Sequence, residues 1–219
     1  MEEQRRRLWL AALSHEVRAT LHSVSLAIWT ILRASDGGSE TQRDVLRRSL
    51  ALLTRTVEDL VDAVALEEGT LQFRPEKILI SEFVGRLVDV ESRTDLRHRF
   101  TWTAPLDLEA FADPNRLHQI VTNLLTNAAK YSAEGTLELG ARAEGGRVLL
   151  WIKDEGPGIS AEDQEMLFHP YARLESGREG SGLGLWIARE LARGMGGDLW
   201  LSSSTGHHST FYLTVPRPS

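Results

Sequence analysis

Through the first seventy residues, a stretch without proline, apolar residues recur at alternating spacings of three and four. Leu10, Leu13, Val17, Leu21, Val24, Ile28 and Ile31 mark one helix, and Leu46, Leu50, Leu53, Val57, Leu60 and Val64 mark a second. Between them Ser35-Asp36-Gly37-Gly38-Ser39 supplies the glycines of a turn. Residues 1–70 therefore predict an antiparallel helical hairpin with a heptad seam on each arm. Two helices bury two seams poorly, and Leu52 and Val61 add apolar surface off the seam. Pairing two hairpins into a four-helix bundle covers that surface, which predicts a homodimer. The alternative, a hairpin packed on its own second domain, is disfavoured by the length of the seams.

After Glu67-Glu68-Gly69 the period changes, and residues 71–219 predict a second domain. Pro75 breaks any helix. Thr136 to Ala143 alternates apolar and polar as a half-buried strand does, and Val148-Leu149-Leu150-Trp151-Ile152 is a continuous apolar run suited to a central strand ending at Asp154. A last strand is expected from Ser209 to Val215. The chain thus reads as two domains: an all-α hairpin, then an α/β sandwich with helices on one face of a mixed sheet.

Composition narrows the chemistry. A formal net charge of −6 gives no electrostatic reason to expect nucleic acid, and Arg5-Arg6-Arg7 is too short a basic run to change that. With no cysteines, disulfides, thiolate metal sites and cysteine nucleophiles are excluded together. Apolar runs are far shorter than the ~20 residues of a bilayer span, and charge rather than an apolar stretch follows Met1. The expectation is a soluble chain in the cytoplasm, whether whole or the cytoplasmic part of a longer protein.

Within the first helix, His15 points about 170° away from the seam and so faces solvent. His22 shares that face one heptad later, and helical geometry does not choose between them. Chemistry favours His15, because an imidazole attacking phosphorus gains from a carboxylate that takes or orients its ring proton, and Glu16 is adjacent. The segment from Ser14 to Leu21 resembles the H box of bacterial sensor histidine kinases, His-Glu-x-Arg-(Thr/Asn)-Pro-Leu, matched by His15, Glu16, Arg18 and Leu21. The resemblance implies that His15 is the phospho-acceptor and Glu16 the general base. Ala19 and Thr20 depart from the pattern, standing where the family has Thr or Asn and then Pro.

A second constellation runs from Asp113 to Ser132. Asp113-Pro114 is a helix start, and Leu117, Ile120, Val121, Leu124, Leu125 and Ala128 form a buried face. Asn123, Asn127 and Lys130 line a polar stripe about 125° round the helix. Asparagine is a poor mid-helix residue, while amide oxygens coordinate Mg²⁺ and lysine neutralises phosphate. Taken alone, the stripe is explained as well by a polar surface face. Next, Asp154-Glu155-Gly156-Pro157-Gly158 ends the central strand with a carboxylate able to accept from an adenine amino group, beside glycines that let a ligand approach. Glu179-Gly180-Ser181-Gly182-Leu183-Gly184 then opens a helix whose N-terminus suits phosphate. A dinucleotide-binding turn fails as a reading, since no strand directly precedes these glycines.

In order, these segments, with Leu167-Phe168-His169-Pro170-Tyr171-Ala172-Arg173 between the last two, resemble the N, G1, F and G2 boxes of the histidine-kinase ATPase domain, a fold shared with type II topoisomerases, mismatch-repair ATPases and heat-shock chaperones. The resemblance implies ATP and Mg²⁺ as cofactors, with Asn127 as metal ligand and Asn123 and Lys130 at the phosphates. It places Tyr131 by the nucleotide and Asp154 at the adenine, with Thr210 backing Asp154. Gly156, Gly158, Gly180, Gly182, Leu183 and Gly184 shape the pocket, and residues 159–181 form a lid that carries Arg173 as a γ-phosphate contact. The F box departs from its usual paired aromatics at Tyr171-Ala172. Phosphate would pass from His15 to an aspartate on a separate response regulator, with the signal arriving from a sensor domain or partner. The rivals are another enzyme on the same ATPase fold, which would leave no phosphohistidine, and a non-catalytic dimeric scaffold. Alanine has no group to position water, so Ala19 implies weak or absent regulator dephosphorylation unless Thr20 substitutes. Ala19→Thr is expected to speed loss of phosphate from the phosphorylated regulator; equal rates for both proteins would contradict this.

Overall fold

The computed structural model describes Leu21, Ile28 and residues 40–95, 97–132, 134–170, 182–204 and 208–218. The rest of the first helix and its turn, with His15, Glu16, Ala19, Thr20 and His22, lie outside the described residues, as do Arg173, Gly180 and His207. The described residues divide between two compact units.

In the first unit, α1 runs from Glu40 to Glu67. The seam residues Leu50, Val57 and Val64 are exposed on the single chain, as is Val61 off the seam. The helix ends where glycine permits a left-handed residue. Gly69 has φ 65°, the Thr70 N–H donates to the Ala65 carbonyl at 2.9 Å, and the Gly69 N–H donates to the Leu66 carbonyl at 3.2 Å. That paired closure satisfies carbonyls which the helix itself leaves open.

The second unit begins at Gln72. Its elements are β1 (Glu76–Leu79), α2 (Ile80–Thr94), β2 (His98–Thr103), β3 (Glu109–Ala112), α3 (Pro114–Tyr131), β4 (Gly135–Glu144), β5 (Arg147–Asp154), α4 (Ala161–Met166), α5 (Gly184–Gly194), β6 (Asp198–Ser204) and β7 (His208–Pro216). Five strands form a mixed sheet in the order β2-β4-β5-β7-β6, with β2 parallel to β4 and every other pair antiparallel. The apolar run expected to be a central strand is β5, the middle strand. Gly145 and Gly146, both at positive φ, close the β4–β5 hairpin in two residues. A separate two-stranded sheet pairs β1 with β3.

Strand alternation sets the layers. The paired rows Ala141, Leu150, Leu213, Leu199 and Leu139, Ile152, Phe211 fall on one face and are buried. On the helices, the apolar faces of α3 (Leu117, Ile120, Val121, Leu124, Leu125, Ala128) and α5 (Ile187, Ala188, Leu191, Ala192) are buried in turn. α3 packs on β4 and β5, α5 on β6 and β7, and α2 on β2. The α/β layering and mixed sheet are thus those expected from the sequence.

The opposite face of the sheet carries the row Gly140, Trp151, Tyr212, Trp200. Trp200 stacks on Tyr212 at 5.6 Å, and the Arg142 guanidinium sits 5.8 Å from the Trp151 ring. The Trp151 indole lies flat over Gly140, in the space that a side chain there would fill. Gly140→Ala must displace the indole, and is expected to cost roughly 1–3 kcal/mol of stability. At an unobstructed strand position the same change stabilises. Urea unfolding of Gly140→Ala, with Trp151→Leu added to restore room, checks the sign and its origin.

Candidate functional site

Asp113 starts the helix on which the site is built. Its Oδ1 accepts from the N–H groups of Asn115 at 3.0 Å and Arg116 at 3.2 Å, and its Oδ2 accepts from the Arg74 N–H at 2.9 Å. Pro114 occupies the first turn, where its missing N–H costs nothing. From this fixed start, Asn123, Asn127 and Lys130 fall at i, i+4 and i+7 on one side of α3. Asn123 is buried, while Asn127 and Lys130 are half-buried. The Lys130 ammonium lies 5.3 Å from the centre of the exposed Tyr131 ring. A Cβ on Gly184 would stand 2.7 Å from Asn123 Oδ1, so only glycine lets the first residue of α5 meet that amide. The polar stripe and the N-terminus of α5 are thereby brought together. Gly182 (φ 70°) and the buried Leu183 fall in the first unit.

Asp154 closes β5 with its carboxylate buried. Its Oδ1 accepts from the Gly156 N–H at 2.9 Å. Burial pushes its pKa above the ordinary value of 3.8, and the backbone N–H groups of Gly156 and Ser209 together with the charge of His208 offset part of that rise. A Cβ on Gly156 would stand 2.7 Å from Asp154 Oδ1 and 3.4 Å from the Tyr131 carbonyl oxygen. The loop therefore lies tight against the end of α3. Gly158, at φ 75°, turns the chain away from the strand.

One expected residue is misplaced. Thr210 pairs with Lys153, whereas Asp154 pairs with Ser209. Paired residues share a face and neighbours in sequence alternate, so Thr210 projects from the side opposite Asp154. The buried Ser209, rather than Thr210, stands beside the carboxylate. The strand's own alternation carried the signal, since Ser209 is in phase with Phe211, Leu213 and Val215 and Thr210 with Tyr212 and Thr214.

Of the lid segment expected from 159 to 181, residues 159–170 are described. Ser160 caps α4, its Oγ accepting from the Asp163 N–H at 3.1 Å and donating to Asp163 Oδ2 at 2.7 Å. Phe168 then packs edge-on to Phe211 at 6.5 Å, with the Arg189 guanidinium 4.9 Å from its ring centre. Arg189 is held by Asp198, Nε donating to Oδ1 at 3.0 Å. Burial opposes ionisation of Asp198, but the Arg189 hydrogen bond, the Leu199 N–H and the charges of Arg189 and Arg193 outweigh it and lower its pKa.

Among the described residues no cluster of three histidine or acidic side chains could hold a metal unaided. The oxygen donors of the α3 stripe are the neutral amides of Asn123 and Asn127, which fit a cation that keeps most of its ligands from water and phosphate. No described helix is long and apolar enough to cross a membrane.

Residues 112–219 match the family of Histidine kinase-, DNA gyrase B-, and HSP90-like ATPases. Over 98% of its length the chain is 31% identical to the sensor histidine kinase WalK of Bacillus subtilis (strain 168), of which it spans 37%. Among solved structures, the histidine kinase AdeS of Acinetobacter baumannii superposes with TM-score 0.73 at 24% identity, covering 94% of this chain and 98% of that one. Full-length ShkA in complex with AMPPNP superposes with TM-score 0.69 at 21% identity, covering 97% of this chain and 46% of that one.

The buried Asp154 carboxylate gives a test of its own. Its raised pKa means that the folded protein binds more protons than the unfolded chain between 3.8 and the folded value. The charged form therefore opposes folding fully above the folded pKa, and that opposition disappears below 3.8. Asp154→Asn is expected to unfold at an equal or higher urea concentration than wild type at pH 7, with wild type gaining on it as the pH falls to 4. A variant that is less stable at pH 7 and no different at pH 4 would contradict this.

Proposed function

Because this chain is a histidine kinase catalytic core, whose residues 112–219 form a histidine kinase-, DNA gyrase B-, and HSP90-like ATPase domain, we propose that it binds ATP with Mg²⁺ and phosphorylates its own His15. The observation that carries the nucleotide reading is the convergence of the buried Asp154 carboxylate, the Asn123–Asn127–Lys130 stripe and the Gly184 end of α5 within one unit. Asp154 accepts a hydrogen bond from the adenine amino group, with Gly156 and Gly158 leaving room for the ring. Tyr131 lines the nucleotide, while Asn123, Lys130 and the helix end opened by Gly180, Gly182, Leu183 and Gly184 take the phosphates. Asn127 would hold Mg²⁺, which would supply charge neutralisation at the phosphates. Arg173 contacts the γ-phosphate from the lid.

In the transfer step the His15 imidazole attacks the γ-phosphorus, the bond to the β,γ-bridging oxygen breaks, and ADP leaves. Glu16 takes the ring proton. Such transfers are loose, so positioning and charge neutralisation supply most of the rate. Residues 1–70 form the dimerisation hairpin and residues 71–219 the catalytic domain. The exposed Leu50, Val57 and Val64 of α1 fit burial in a four-helix bundle of two chains. The phosphoryl group then moves to a receiver aspartate on a response regulator, and Ala19 leaves hydrolytic dephosphorylation of that regulator weak or absent unless Thr20 substitutes. The chain spans 37% of WalK and 18% of EvgS of Escherichia coli, so the input domain and signal belong to a larger assembly in this reading.

Incubation with radiolabelled ATP and Mg²⁺ tests the reading. Wild type and His22→Gln are expected to take up acid-labile, alkali-stable label, and His15→Gln to take up none. Label persisting in His15→Gln would move the acceptor elsewhere, and ATP binding without any label would favour the scaffold.

A further inference from the structure

We propose that His98 is a positioning residue for the nucleotide face of α3, acting through Ser132. The proposal rests on the ATP reading of that face and adds a residue to it from outside the site. His98 opens β2 with its side chain fully buried, its Nδ1 2.7 Å from Asp95 Oδ2 and its Nε2 2.9 Å from Ser132 Oγ. Ser132 in turn donates from Oγ to the Ala128 carbonyl at 2.7 Å. Asp95, the residue that caps α2, is itself fixed by the Arg97 N–H donating to Oδ1 at 2.9 Å. Burial opposes ionisation of Asp95, but hydrogen bonds from Arg97 and His98 outweigh it and lower the pKa, so the anchor is a carboxylate at neutral pH.

An Asp-His-Ser chain has the order of a hydrolase relay. Here Ser132 is 3% exposed, its hydroxyl is engaged with a helix carbonyl, and the imidazole is closed off, so no substrate reaches it. What the chain does instead follows from how α3 ends. Ser132, at the C-cap, has extended backbone (φ −90°, ψ 139°) and no glycine follows to close the last carbonyls as Gly69 does for α1. The Ser132 N–H and Oγ both turn back to the Ala128 carbonyl, and Arg97 Nη2 reaches the Ala129 carbonyl at 3.5 Å. Asp95 can only accept, so Nδ1 donates to it and fixes the ring, whose Nε2 shares the single Ser132 hydroxyl with the Ala128 carbonyl and so fixes Ser132.

That last turn carries Lys130 and Tyr131. It also abuts the adenine loop, because a Cβ on Gly156 would lie 3.4 Å from the Tyr131 oxygen and 3.7 Å from the Ser132 nitrogen. A shift of the turn therefore moves Lys130, Tyr131 and the seat of Gly156 together. The α2–β2 junction sets the position of the nucleotide face through one hydroxyl.

The test measures dissociation constants for ATP·Mg²⁺ by titration calorimetry, beside urea midpoints, for wild type, Ser132→Ala, Ser132→Thr, His98→Gln and the His98→Gln/Ser132→Ala double variant. Ser132→Ala is expected to weaken ATP on the order of tenfold, with Ser132→Thr near wild type. The double variant is expected to bind no worse than the weaker single variant, because both break one chain. A residue that served stability alone would lower the urea midpoint and leave ATP affinity unchanged; that result, or fold-losses that multiply in the double variant, overturns the proposal. If His98→Gln does not fold, the contrast between Ser132→Ala and Ser132→Thr decides. Wild type that fails to bind ATP defeats the nucleotide reading itself, whereas wild-type binding with Ser132→Ala unaffected defeats this proposal alone.

Discussion

A carboxylate buried at the end of a strand's apolar face is the constraint on which the second unit depends. Inward-facing Val148, Leu150 and Ile152 lead along β5 to Asp154, which continues the same alternation into the core. Ionising that group away from water opposes folding, and the Gly156 and Ser209 amides compensate only in part. The arrangement exists because three elements meet there. β7 presents Ser209 opposite, the loop presents Gly156, where the carboxylate itself leaves no room for a side chain, and the end of α3 packs against that glycine. A site that keeps an under-compensated charge is poised to accept a donor, and an exocyclic amino group is one.

The polar stripe of α3 is held from both ends. Asp113 fixes the start of the helix through three backbone amides, and the Asp95–His98–Ser132 chain fixes its end. Between them the apolar face of α3 is locked onto β4 and β5, which leaves Asn123, Asn127 and Lys130 no freedom to rotate away. Preorganisation of this kind suits phosphoryl transfer, where placing charges matters more than covalent chemistry.

Much of this was legible in the chain. The continuous apolar run from Val148 to Ile152 marked the central strand, and the Asp-Pro start with its apolar face marked α3. Pairings between distant strands were not legible, and register is what separated Ser209 from Thr210. α2 carries a readable stripe, with Ile80, Phe83, Val84, Leu87 and Val88 all buried at helical spacing, but no motif lies on it. β1 and β3 are four residues each, too short for alternation to stand out. His98 and Ser132 are 34 positions apart, and nothing local announces that they touch. The segment around His15 lies outside the described residues, so the acceptor role proposed for it stands on the sequence pattern.

If the Asp154 carboxylate reads the amino group of adenine, replacing that amino group with a carbonyl sets an acceptor against an acceptor. Comparing ATP with inosine triphosphate, in wild type and in Asp154→Asn, separates reading of the base edge by Asp154 from binding of the phosphates. The account predicts that wild type binds ATP at least on the order of tenfold more tightly, and that Asp154→Asn loses most of this preference. Equal affinity of wild type for the two nucleotides would contradict it.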